Sequence, residues 1–189
     1  MAIEIEAKMR VSDFDAVRTA LHGRGAARVG LTLETNTFFD TDDRLLLAGD
    51  EGLRLRTNRD ADGGRETHVI TYKGPMQAGR VKSREEVELD VADAAGAAAL
   101  LQKLRFARVL TFEKRRETWK LDDCKVELDE LPHLGTFVEI EGPGEAAVLK
   151  VREALGLADQ PIIKTSYIAM LTAYLKDRGE DRGDVKFGS

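Results

Sequence analysis

The sequence predicts an α+β chain in which an antiparallel sheet, able to close into a barrel, carries helices on its outer side. Three observations lead there. Many segments alternate with period two and are separated by turn signals such as Ala61-Asp62-Gly63-Gly64 and Met76-Gln77-Ala78-Gly79. In those segments one parity is apolar and the other almost wholly ionic, unlike the mixed Thr, Ser, Gln and Lys of an ordinary wet sheet face. Four further segments carry apolar stripes at helical spacing, which supply a cover for the dry parity.

The opening stretch shows the alternation most plainly. Glu4, Glu6 and Lys8 share one parity, and Ile3, Ile5, Ala7 and Met9 share the other. A helix is expected over Asp13 to His22, with Phe14, Val17, Ala20 and Leu21 on one stripe, Ser12 or Asp13 as cap and Gly25 as stop. Strands follow in which Leu53 and Leu55 oppose Arg54 and Arg56, and in which Val69 and Thr71 lead to Lys73 and a Gly74-Pro75 turn. Lys82, Arg84, Glu86 and Glu88 then alternate against Val81, Val87 and Leu89. A second helix is expected over Ala94 to Leu104 behind Asp93. Lys114 and Arg116, then Glu127 and Asp129, then Glu139 and Glu141 occupy the charged parities of the later strands, with Leu131-Pro132-His133-Leu134-Gly135 as the hairpin between the last two. Helices over Gly144 to Leu155 and Ser166 to Asp177, the latter capped by Thr165, complete a domain over residues 1–178. Residues 179–189 read as an unstructured tail.

A weak internal repeat runs through this order. Glu4-x-Glu6, a helix and Ala27-Arg28-Val29 correspond to Glu86-x-Glu88, a helix and Ala107-Arg108-Val109, about 80 residues later. Two such halves are expected to close one barrel rather than to form two domains.

Composition narrows the partners. The 189 residues are 42% hydrophobic and 33% charged, with a net charge of −5, which argues against nucleic acid and anionic membrane surfaces. The charged N-terminal residues and the lack of an apolar run of membrane length point to a cytoplasmic protein with no membrane partner. The lone Cys124 offers neither an intrachain disulfide nor a cysteine zinc site, and His22, His68 and His133 have no metal-ligand spacing. A small molecule is the expected partner, and the chain is compatible with a homodimer.

If helices cover the dry parity, the ionic parity faces a lumen. Uncompensated charge buried there costs several kcal/mol per group, so the lumen needs a ligand. Lys8, Arg54, Arg56, Lys73, Arg84, Lys114 and Arg116 can envelop a polyanion, while Glu4, Glu6, Glu127, Asp129, Glu139 and Glu141 can hold Mg²⁺ or Mn²⁺. A triphosphate travelling with its metal matches both groups.

Glu4-x-Glu6-x-Lys8 resembles the signature of the CYTH superfamily of class IV adenylyl cyclases and thiamine or inorganic triphosphatases. The likeness continues through Thr37-Phe38-Phe39-Asp40-Thr41, Gly52-Leu53-Arg54-Leu55-Arg56, Thr71-Tyr72-Lys73-Gly74-Pro75 and Ser83-Arg84-Glu85-Glu86, then Glu113-Lys114-Arg115-Arg116, Val126-Glu127-Leu128-Asp129, Phe137-Val138-Glu139-Ile140-Glu141 and Lys164-Thr165-Ser166-Tyr167. The resemblance implies a triphosphate tunnel, a closed antiparallel barrel of roughly eight strands. It implies metal ligation by Glu4, Glu6, Asp129, Glu139 and Glu141, joined on parity by Glu127, and a phosphate grip by Lys8, Arg54, Arg56, Lys73, Lys114 and Arg116 with Arg84 and Lys164. Lys8, Arg56 and Arg116 are the expected catalytic groups. The phrasing is closest to the class IV adenylyl cyclases, which convert ATP to cyclic AMP and pyrophosphate. Hydrolysis of inorganic, nucleoside or thiamine triphosphate and non-catalytic nucleotide or polyphosphate binding are the alternatives. Whether Glu86 and Glu88 line the lumen is left open by the sequence.

Overall fold

The alternating segments become strands because their β-branched and aromatic residues fall on one parity, where a neighbouring layer can bury them. A computed structural model describes residues 2–61, 63–179 and 183–188. The described elements run β1 (Ala2–Val11), α1 (Asp15–Gly23), β2 (Ala27–Asp40), α2 (Leu45–Ala48), β3 (Gly52–Asp60), β4 (Thr67–Lys73) and β5 (Lys82–Val91), then α3 (Ala94–Lys103), β6 (Ala107–Leu121), β7 (Cys124–Leu131), β8 (Gly135–Glu141), α4 (Glu145–Ala154), α5 (Tyr167–Asp177) and β9 (Gly183–Val185).

The strand order is β2-β3-β4-β5-β1-β8-β7-β6, and β6 pairs back onto β2. The result is a closed barrel of eight antiparallel strands with the helices outside. Closure rests on the two longest strands, β2 and β6, which pair from Ala27↔Lys120 to Asp40↔Ala107. The internal repeat is visible in this arrangement: β1-α1-β2 and β5-α3-β6 follow the same order, and β1 pairs with β5 as β2 pairs with β6.

Helices cover apolar residues of the sheet in three places. Helices α1 and α4 lay Val17, Leu21, Val148, Val151 and Leu155 on Met9, Val126, Leu128, Val138 and Ile140, around the buried Trp119. Helix α3 places Ala97 and Leu101 against Phe39 and Leu55. Helix α5 packs Tyr167, Leu171 and Leu175 against Leu110, Phe112, Leu131 and Phe137. Phe112 has the parity of Lys114, and Phe137 that of Glu139. Along these strands the interior-facing set therefore changes from ionic to apolar towards α5, which closes that end.

Three details differ from the sequence reading. Residues 183–188 are not an unstructured tail: β9 pairs in parallel with Leu110–Phe112 of β6, along the edge that β7, which pairs only from Arg115 to Leu121, does not reach. Val185 is buried there, and the Phe187 N–H donates to Glu113 at 3.0 Å. The remaining residues of the expected tail, 180–182 and 189, lie outside the described set. The α5 cap is Ser166 rather than Thr165, its hydroxyl accepting from the Ala169 N–H at 3.3 Å. The short helix α2 was not expected; the Asp40 carboxylate organises it by accepting from the N–H groups of Thr41, Leu46 and Leu47 at 2.8, 3.0 and 3.1 Å. No helix among the described residues is long and apolar enough to cross a membrane.

Candidate functional site

The ionic parity encloses a cavity of about 750 Å³ inside the barrel. It is lined by Glu4, Glu6, Lys8, Arg54, Arg56, Lys73, Lys82, Arg84, Glu86, Glu88, Lys114, Arg116, Glu127, Glu139 and Glu141, so Glu86 and Glu88 do face it. Its apolar end is formed by Phe38, Leu46, Leu47 and Phe112, with Ile168, Ala169 and Ala173 of α5. Phe38 and Phe112 stack with ring centres 5.9 Å apart. None of the three histidines lines the cavity. Cys124 is buried outside it, where burial and then Asp122 and Asp123 raise its thiol.

Strand register explains much of the pairing. Opposite charges meet across the ladder at Lys8↔Glu139, Glu6↔Lys82, Lys73↔Glu86 and Arg116↔Asp129. Lys73 Nζ reaches both oxygens of Glu4 at 2.9 Å, and Lys82 Nζ lies 2.5 Å from Glu6. Arg116 is held by Asp129 at 2.6 Å, by Glu127 and Glu139 at 2.5 Å each, and by Glu34 at 3.7 Å. Asp129 is fully buried behind this knot, where it also accepts from Lys114 at 3.2 Å and from the Tyr167 hydroxyl at 3.0 Å. Lys8 lies 3.5 Å from Glu139 and 4.0 Å above the Tyr167 ring centre.

These surroundings shift the charges. Burial lowers Lys8 despite the pull of Glu139, whereas for Lys82 the opposing attraction of Glu6, Glu4 and Glu139 outweighs burial and raises it. Burial would raise Glu139, but Lys8, Arg116, Lys114 and Lys82 hold it well below the usual carboxylate range. Burial and then Arg56 push Arg54 down to about 10. Arg54 is only partly compensated: Nη2 donates to Thr71 at 3.0 Å and lies 3.7 and 3.8 Å from Glu88 and Glu86. Its Nε, like that of Arg84, is a buried donor with no acceptor among the described residues. A buried donor left unmade costs about 1–3 kcal/mol, so two of them beside a roomy polar cavity suit an incoming anion.

The structure brings all but two of the expected site residues to the cavity wall. Asp129 stands behind that wall. Lys164 is exposed and donates to the Gly79 carbonyl, because the Ile163 N–H, bonded to the Lys8 carbonyl at 2.8 Å, holds the segment beside β1. Sequence reasoning missed Glu34 and Asn36, both buried on the charged parity of β2. The alternation Thr32, Glu34, Asn36, Phe38 was the signal available to find them.

For a metal, the chemistry of the donors fits while their present pairing is internal. Glu6 stands directly opposite Glu141 on β8, and Glu139 opposite Glu127 on β7. Like charges placed opposite each other repel unless a cation intervenes. Among the described residues the intervening cations are lysines and arginine, and no three acidic, histidine or cysteine side chains converge to metal-binding geometry. A divalent ion would therefore replace Lys73 and Lys82 as the partner of Glu4 and Glu6.

Residues 2–166 match the CYTH domain. The chain belongs to the CYTH family. This CYTH chain is 29% identical over 177 residues to a protein of Methanocaldococcus jannaschii provisionally named an adenylate cyclase, covering 89% of the chain and 98% of the relative. It is also similar to the solved structure of a Pyrococcus horikoshii OT3 protein, with a TM-score of 0.79 at 26% identity over 90% of this chain and 99% of that one. A Hippeastrum protein, provisionally named an adenylyl cyclase and described as having dominant triphosphatase activity, shares the fold at a TM-score of 0.66 and 20% identity, over 94% and 96% of the two chains.

Proposed function

We propose that this CYTH chain is a divalent-metal-dependent enzyme acting on a triphosphate in the barrel lumen, and that its reaction is adenylyl cyclisation of ATP. The observation that carries the polyanion is the pair of buried guanidinium Nε–H groups, on Arg54 and Arg84, left without acceptors beside a cavity lined by Lys8, Lys73 and Lys114. The apolar end bounded by Phe38, Phe112 and α5 favours a triphosphate carrying an organic group over bare inorganic triphosphate.

Glu4, Glu6, Glu139 and Glu141 on the adjacent strands β1 and β8, joined by Glu127 of β7, would hold Mg²⁺ or Mn²⁺, while Asp129 behind the wall anchors Arg116 and Lys114. When bound, the ion supplies Lewis-acid neutralisation of phosphate oxygens and lowers the pKa of a coordinated nucleophile. Arg54, Arg56, Arg84, Lys8, Lys73, Lys114 and Arg116 would grip the phosphate chain and stabilise charge that spreads over it in the transition state. In cyclisation the ribose 3′-oxygen loses its proton and bonds to the α-phosphorus, while the bond to the departing pyrophosphate breaks. Hydrolysis in the same lumen would instead bring water to the terminal phosphorus, a reading favoured by the activity described for the Hippeastrum protein.

The test is to incubate the protein with ATP, and separately with tripolyphosphate, in Mg²⁺ or Mn²⁺, and to resolve the products. Cyclic AMP with pyrophosphate is the expected outcome. Orthophosphate without cyclic AMP would replace cyclase with triphosphatase, and inertness towards both compounds would sink triphosphate chemistry altogether.

A further inference from the structure

Glu34 is a buried carboxylate outside the acidic wall. Its strand, β2, lies four strands from β1 whichever way the barrel is followed. It is therefore set across the lumen from Glu4 and Glu6, and it is only 2% exposed. Its neighbours are basic: Lys114 at 3.2 Å, Arg56 at 3.4 Å and Arg116 at 3.7 Å. Asn36, two residues on and also buried, donates to Glu34 at 3.3 Å and accepts from Arg56 Nε at 3.1 Å.

The register makes this arrangement systematic. Strand β2 is hydrogen-bonded on both sides, with Glu34 opposite Lys114 on β6 and Asn36 opposite Arg56 on β3. Arg56 engages Asn36 and Glu34 through Nε, and its side chain lines the cavity. Lys114 divides Nζ evenly between Glu34 and Asp129, at 3.2 Å from each. Long basic side chains lose substantial rotamer entropy when fixed, and here a buried anion and its amide partner fix them before any ligand arrives.

We infer that Glu34, with Asn36, is a positioning group that holds Arg56 and Lys114 in the orientation needed to engage the substrate's phosphates. This rests on the triphosphate reading above. Glu34 itself touches no phosphate, since it has the same charge; its cost is repulsion of the polyanion, and its benefit is geometry. The two effects have opposite signs and can be separated. Removing the charge should strengthen simple ground-state attraction while loosening the arrangement needed in the transition state, where small misplacements of catalytic groups cost rate.

The experiment compares wild type, Glu34→Gln and Glu34→Asp. Binding of metal-free tripolyphosphate is measured by calorimetry, kcat and KM for ATP in Mn²⁺ by product formation, and Tm by circular dichroism. Glu34→Gln is expected to bind tripolyphosphate about fivefold more tightly and to lose about tenfold to a hundredfold in kcat. Glu34→Asp retains the charge but withdraws it by one methylene, so its affinity should match wild type while kcat falls by an intermediate factor. Affinity and kcat that decline together with Tm would show a merely structural carboxylate and overturn the inference, as would a kcat unchanged in both variants. If Glu34→Gln does not fold, an unaltered kcat in Glu34→Asp alone overturns it. Wild-type protein that neither binds tripolyphosphate nor turns over ATP removes the triphosphate reading itself, which is a distinguishable result.

Discussion

At the scale of single residues, the lumen is a set of charges that neutralise one another across short distances. Arg116 is the extreme case, with Glu34, Glu127, Asp129 and Glu139 all within 3.7 Å. A buried ion cluster of this kind is weak as a source of stability but costly to leave half-made. Its pH response can be derived for Glu34. Burial would raise this carboxyl, but Arg56, Lys114, Arg116 and Arg54 outweigh burial and hold it well below the usual range. A depressed folded-state pKa contributes stability that is complete above the unfolded value, about 4.3, and is lost as pH falls through the folded value. The Tm of wild type should therefore exceed that of Glu34→Gln near neutral pH, with the gap closing below about pH 4. Melting curves from pH 3 to 7 check this, and a gap constant across the range would contradict it.

At the scale of elements, the long strand β6 shows how one segment takes several jobs. Its fifteen residues pair with β2 along one edge, while β7 and β9 divide the other. Without β9, Leu110–Phe112 would present an open edge beside the apolar cluster under α5, and open edges invite non-native pairing. The three-residue strand also buries Val185, and Arg115 lies 4.0 Å over the Phe187 ring. A chain ending at Gly179 should lose about 1–3 kcal/mol of unfolding free energy, the worth of one buried aliphatic side chain and one or two hydrogen bonds. Urea denaturation measures this; a truncated chain as stable as the full one would show that β9 merely rests on the barrel. Helix α5 has a comparable double role. Tyr167, Leu171 and Leu175 anchor it, while Ala169, Thr172 and Ala173 face the cavity.

At the scale of the whole molecule, barrel closure puts the acids of β1, β8 and β7 and many of the bases of β3, β5 and β6 around one space. Because these charges already satisfy one another, metal alone must displace lysines from carboxylates, and triphosphate alone must enter against the carboxylates. The two together replace both halves of the internal pairing. Thermal shift should therefore show that Mn²⁺ with tripolyphosphate raises Tm by more than the sum of the separate increments. Simple additivity would count against a shared site.

The sequence by itself determined the local rules: which parity of each strand is charged, where α1, α3, α4 and α5 lie to within a residue or two, and which residue types gather as acids and bases. These follow from period-two and period-3.6 patterning and from caps such as Asp93, whose carboxylate accepts the Ala95 N–H at 2.9 Å. Asp40 capping a helix six and seven residues later, β9 lying along β6 and Lys164 bonding Gly79 involve partners that no local pattern specifies. Glu34 was legible as a parity but not as a partner of Lys114, because that pairing exists only once β2 meets β6 across 80 positions. The same holds for Glu4, Glu6 and Lys8. Their alternation is equally consistent with a wet outer face, and the side that faces the lumen was decided when β2 closed on β6 and the helices covered the dry parity.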